Sequence, residues 1–160
     1  MSAEQARFTL DTNLLVYSVD SAAEARHRVA LEIVDRAVEG ECWLTLQALG
    51  EFYAAVTRKG IVPPAEAASQ AGDWLELFPT IAASAAAIRV ALADAAGGRA
   101  SYWDALLVAT AGEAGCTIIL TEDMSDGSTL GGLRIHNPFA ASGGLTGMTR
   151  RLLGLSELHP

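Results

Sequence analysis

The feature that most constrains this chain is an alternation, kept from end to end, of short apolar β-type runs with longer helical ones. Arg7-Phe8-Thr9-Leu10 reads as a first strand. Later strands are read at 42–45, 78–81, 117–121 and 133–136. Between them, Ser21-Ala22-Ala23-Glu24 has capping-box spacing and opens a helix to about Glu39, stopped by Gly40. Further helices are predicted at 46–59, ended by Gly60, and at 63–77, started by Pro63 and Pro64. Two more follow, an Ala-rich one at 83–96 and another at 102–114. Strands alternating with helices in this way predict an α/β fold, a three-layer α/β/α sandwich with a mostly parallel central sheet.

A length of 160 residues, 51% of them hydrophobic and 19% charged, suits one domain with a full core and excludes intrinsic disorder. Every long apolar stretch is broken by Arg, Asp or Glu, so no membrane span is predicted. The polar opening at 1–7 does not read as a signal peptide, which makes the cytoplasm the expected compartment. The net charge of -8 counts against a protein that coats nucleic acid. Cys42 and Cys116 stand far apart and read as small buried residues, and His27, His136 and His159 are scattered. A zinc site is therefore not expected, and any metal must be held by oxygen. Residues 140–160 form a compositional break. Ser142-Gly143-Gly144 is loop-like, and Leu145, Met148, Leu152 and Leu155 then fall at the spacing of a short amphipathic helix.

Sites in a parallel α/β sheet form at the carboxyl ends of the strands, so the polar residues there matter most. Asp11 follows the first strand inside an apolar run, where it reads equally as a functional carboxylate or as a helix cap or Asx turn. Asp104 shares its helix face with Leu107, Val108 and Ala111. Ser101, three residues earlier, offers a capping-box explanation for an acid in the first turn, but not for one on the most apolar face. Thr121-Glu122-Asp123-Met124-Ser125-Asp126-Gly127 gathers three acids at a strand end, although Asp-Gly is also an ordinary turn signal. Glu51 lies off the apolar stripe Leu46, Leu49, Phe52, Tyr53 and Val56, and by itself reads as a surface acid. Together such carboxylates would repel one another unless a divalent cation filled the space between them.

Leu10-Asp11-Thr12-Asn13-Leu14-Leu15-Val16-Tyr17 resembles the first motif of PIN-domain nucleases, the VapC-type toxins in particular. The acids of that family fall in order on Glu51, Asp104 and Asp123, and Gly132-Leu133-Arg134-Ile135-His136-Asn137-Pro138-Phe139 resembles the end of one VapC-type branch. The resemblance implies a nuclease domain over residues 1–139, with 140–160 as a C-terminal extension. It implies an endoribonuclease using Mg²⁺ or Mn²⁺, a homodimer, and a cognate antitoxin. By carry-over Asp11, Glu51, Asp104 and Asp123 are the catalytic set, with Asp11, Asp104, Asp123 and Asp126 toward the metal. Asn13 and Thr121 would hold that set by hydrogen bonds.

Arg99, close before Asp104, is the nominated RNA contact. The other basic clusters, Arg26-His27-Arg28, Arg58-Lys59 and Arg150-Arg151, read as solvated surface. Among alternatives, a phosphorylated receiver domain lacks its lysine, since Lys59 is the only one and ends a helix. A dehalogenase-like phosphatase would need Asp where Asn13 stands, and no Walker or GxGxxG motif is present. A non-cleaving PIN-like module that binds RNA or protein, or an RNA-processing nuclease outside any toxin–antitoxin pair, remains the competing expectation.

Overall fold

The computed structural model describes residues 5–155; the last five positions of the expected extension, His159 among them, lie outside the described residues. In chain order the first half comprises β1 (Phe8–Leu10), α1 (Thr12–Tyr17), a 3₁₀ turn (Ser21–Ala23), α2 (Ala25–Ala37), β2 (Leu44–Thr45) and α3 (Leu46–Arg58). The second half comprises α4 (Pro64–Leu77), β3 (Thr80–Ile81), α5 (Ala85–Ala96), α6 (Tyr102–Glu113), β4 (Ile118–Leu120), β5 (Thr129–Leu130), β6 (Leu133–His136) and α7 (Gly147–Leu152).

β1 and β4 are buried along their whole lengths, which is why they read as unbroken apolar runs rather than as alternating ones. They pair in parallel with Phe8 opposite Ile118 and Leu10 opposite Leu120. β6 continues the parallel sheet beyond β4, and β5 adds an antiparallel edge. On the far side of β1, Cys42 bridges Phe8 and leads into the parallel pair β2 and β3. Cys42 and Cys116 are both free thiols and both buried.

Helices close over both faces. α1 packs on α2 and α3, α3 on α4, and α5 on α6. α6 is apolar around most of its circumference and buries Ala105, Leu106, Leu107, Val108, Thr110 and Ala111. Ala87 and Ala91 of α5 let that helix approach α6 closely. α3 starts from Thr45, whose hydroxyl accepts the Ala48 N–H, and ends at Gly60, whose φ of +66° lets the Ile61 N–H turn back to Val56 O at 2.9 Å. Its buried face is Ala48, Leu49, Phe52 and Val56, while Leu46 and Tyr53, read from the sequence as part of the stripe, are exposed.

One local expectation changes, and one helix is new. Ser21 does not open α2: Asp20 caps the 3₁₀ turn through the Ala22 N–H, and Glu24 then swings into the left-handed region at φ 55° before the helix begins at Ala25. α1, marked in the sequence only by the helix-cap reading of Asp11, starts directly after β1. The tail folds back on the body. Thr146 caps α7, Leu152 and Leu153 are buried in the main core, and Leu145, Met148 and Leu155 pack partly buried against it. No described helix is long and apolar enough to cross a membrane.

Candidate active site

Asp11 prolongs β1 by one backbone hydrogen bond, from its N–H to Leu120 O at 3.0 Å, and then ends the strand. Its carboxylate caps the next helix and is also tied to the residue that follows β4. Its Oδ1 caps α1 by accepting the Thr12 N–H at 2.7 Å, and its Oδ2 accepts from the Thr121 hydroxyl at 2.7 Å. Burial pushes its carboxyl up to about 6; the two hydrogen bonds oppose that rise, and the charges of Asp104 and Asp123 add to it. Thr121 sits at the end of β4, and its hydroxyl also accepts the Asp123 N–H at 3.1 Å. One oxygen thus orients two acids.

Asp104 lies in the first turn of α6, where the capping oxygen is that of Ser101, which takes the Asp104 N–H at 3.2 Å. The carboxyl of Asp104 is raised first by burial; the Ser101 hydroxyl lowers it, and the charges of Glu51 and Asp123 raise it further. Glu51 is half-buried rather than a surface acid. Its Oε2 accepts from the Thr12 hydroxyl at 2.9 Å and its Oε1 from Gln47 Nε2 at 2.8 Å.

Asp11, Glu51, Asp104 and Asp123 line one cleft of about 340 Å³, together with Asn13 and Lys59. Thr121 makes the hydrogen bond expected of it. Asn13 does not: both polar atoms of its amide are buried without a protein partner. Asp126 is not among the cleft residues. It sits before the left-handed turn at Gly127, and its carboxylate accepts the Asn137 N–H at 2.9 Å with His136 Nδ1 3.6 Å away. Arg99 is engaged with Asp94 at 2.7 Å and borders a neighbouring groove that Asp104 and Asp123 also edge.

Thr12, Gln47 and Lys59 were not singled out as site residues by the sequence. Gln47 carried a readable signal, since it stands four residues before Glu51 on a helix. Glu122 turns away to a clamp in which Tyr17 Oη donates at 2.9 Å and Arg26 Nε at 2.7 Å, with the guanidinium over the Phe139 ring.

Among the described residues, no three His, Cys, Asp or Glu side chains form a ready-made group around an ion. The donor set still suits a hard divalent cation. It is all oxygen, Asp11 and Asp104 are raised by burial and by neighbouring charge, and Asn13, whose buried amide has no protein partner, is among the residues that line the cleft. Mg²⁺ needs no closed protein cage, because it is commonly held by one or two carboxylates and keeps several of its waters.

A parallel sheet between helical layers, with acids gathered at its carboxyl edge, is the plan of a PIN domain. The PIN domain family model matches residues 8–125, and the chain belongs to that family. Its fold is similar to that of VapC20 from Mycobacterium tuberculosis, a sarcin-ricin-loop-cleaving toxin, at TM-score 0.53 and 19% identity, covering 70% of this chain and 86% of that one. It also resembles a chain of a toxin–antitoxin complex from Klebsiella pneumoniae, at TM-score 0.59 and 18% identity over 82% of this chain and 97% of the other. A third likeness is to VapBC2 from Rickettsia felis bound to a promoter DNA fragment, at 0.57 and 16%, covering 81% and 97%. At these identities the likeness is one of fold. No curated protein sequence matches significantly.

Proposed function

We propose that this chain is a divalent-metal-dependent endoribonuclease of the VapC toxin type, which hydrolyses RNA phosphodiester bonds in the cytoplasm. The observation that carries this reading is the convergence of Asp11, Glu51, Asp104 and Asp123, from separate elements, on one cleft whose most buried acid is held near pH 6. Asp11, Asp104 and Asp123 would hold Mg²⁺ or Mn²⁺, with Glu51 beside them. The ion, when bound, supplies a water of lowered pKa and offsets charge on the phosphate.

The chain's own residues do the rest. Thr121 fixes the direction of Asp11 and of the Asp123 backbone. Glu51, held by two donors, keeps its remaining lone pairs as a rigid acceptor. Lys59 gives the cleft a cation for the RNA backbone. Asp126, occupied at Asn137, is left out of the ligand set. In this reading residues 1–139 carry the nuclease and 140–160 an extension, of which Leu145, Met148, Leu152, Leu153 and Leu155 pack against the core.

The toxin–antitoxin complexes among the structural relatives support an antitoxin partner, and a homodimer is proposed with it. The deciding experiment is cleavage of a mixed single-stranded RNA with Mn²⁺ and again in EDTA, with Asp11→Asn as the control for contaminating nuclease. Cleavage that needs Mn²⁺ and is lost in Asp11→Asn is expected. Undiminished cutting in EDTA by the wild type alone would overturn the metal mechanism.

A further inference from the structure

Gln47 joins two elements of the cleft through a single nitrogen. Its Nε2 donates to Glu51 Oε1 at 2.8 Å and to the main-chain oxygen of Trp103 at 3.0 Å, in the residue immediately before Asp104. The other Glu51 oxygen is held by Thr12, whose own N–H is bound by Asp11. An unbroken chain of contacts therefore runs from Asp11 through Thr12, Glu51 and Gln47 to the backbone that presents Asp104, spanning α1, α3 and α6. The orientation of the amide is dictated by its partners, because both are acceptors, and turning it over would set oxygen against oxygen. In the orientation it holds, Oε1 is buried with no partner. An amide that leaves its acceptor unmatched in order to use both donors is spending stability on the placement of what it touches.

We infer that Gln47 is a positioning residue for the cleft: it fixes Glu51 against the start of α6 and so sets the spacing at which Glu51 and Asp104 face a bound cation and the substrate phosphate. This rests on the nuclease reading above. Gln47 acts through Glu51 and the Trp103 carbonyl and touches no substrate itself.

The test uses the full chain, Mn²⁺ and a single-stranded RNA. Gln47→Met keeps the length of the side chain and removes both donors. Its kcat should fall by about 10–100-fold, in the range found when groups supporting a metal site are removed, with KM for RNA changed by less than about twofold. The Mn²⁺ concentration giving half of the full thermal stabilisation should rise by a similar factor. Should Gln47→Met fold poorly, Gln47→Ser, too short to span the gap, gives the same two readouts at this half-buried position. A folded variant with wild-type kcat and a wild-type Mn²⁺ midpoint overturns the inference, and so does a variant that only melts earlier. Asp104→Asn, run in parallel, separates the two levels. If it too cuts RNA at the wild-type rate, the nuclease assignment of the cleft falls. If it is inactive while Gln47→Met is unaffected, only the role of Gln47 falls.

Discussion

The Thr121 hydroxyl stands 2.7 Å from Asp11 Oδ2 and ties together two residues 110 positions apart, at the ends of adjacent parallel strands. The same hydroxyl oxygen receives the Asp123 N–H, so the geometry of two cleft acids depends on one β-branched side chain that is itself fully buried. Removing that hydroxyl leaves a buried carboxylate oxygen short of a donor, which costs about 1–3 kcal/mol. Thr121→Val should therefore melt earlier and cleave RNA about 10–100-fold more slowly, whereas Thr121→Ser should keep most of both. Equal activity in Thr121→Val and wild type, measured by RNA cleavage in Mn²⁺, would remove Thr121 from the site.

Asp11 predicts an unusual pH dependence in metal-free protein. Its folded-state carboxyl titrates at about 6 against an ordinary value of 3.8, so between those pH values the folded form binds more protons than the unfolded one. The stabilisation this gives is fully present below the unfolded value and is lost as pH rises through the folded one. The difference amounts to about 3 kcal/mol by pH 7. In EDTA, Asp11→Asn should flatten the slope between about pH 4 and 6 and melt above wild type at pH 7, since Asn can still cap α1. Parallel melting curves for the two proteins across that window would contradict the assignment.

Lys59 predicts a substrate effect without a chemical one. If it meets the RNA backbone, Lys59→Ala should raise KM several-fold at physiological salt and leave kcat nearly unchanged. It should also reduce the slope of log affinity against log salt by about 0.7, the contribution of one contact to a single strand. Lys59→Arg should restore the slope. Identical salt slopes for wild type and Lys59→Ala would place Lys59 outside the RNA path.

The tail predicts a stability effect. Leu152 and Leu153 are buried in the main core, so Leu152→Ala should cost about 2–3 kcal/mol by denaturant unfolding. Removal of residues after Phe139 should lower the melting temperature further. A truncated chain that melts with the wild type would show that the burial of these leucines contributes nothing.

The layers of this fold were legible because β1, β4 and the main helices differ in length as well as in period. α1 was not, since a six-residue helix entered directly from a strand through Leu14, Leu15 and Val16 cannot be told from a longer buried strand by periodicity. β5 is two residues long and owes its conformation to pairing with β6. In the site, the acids were legible through their order along the chain, while Glu51 looked like a surface residue because a helical wheel distinguishes only core from solvent. A polar cleft is a third environment. The supporting groups were the hardest to find. Asn13 was expected to hold the acids, yet Thr12 beside it makes the bond, because which neighbour reaches Glu51 depends on how α1 is turned relative to α3.

The pairing of β1 with β4 also governs when the cleft can exist during synthesis. The first acid leaves the ribosome early, but its partner strand and Thr121 follow 110 positions later, about 5–20 s at ordinary translation rates. Until then Asp11 has neither its sheet neighbour nor its hydroxyl donor. Over that interval a nascent chain, attached to a particle built of RNA, carries no assembled acid cluster.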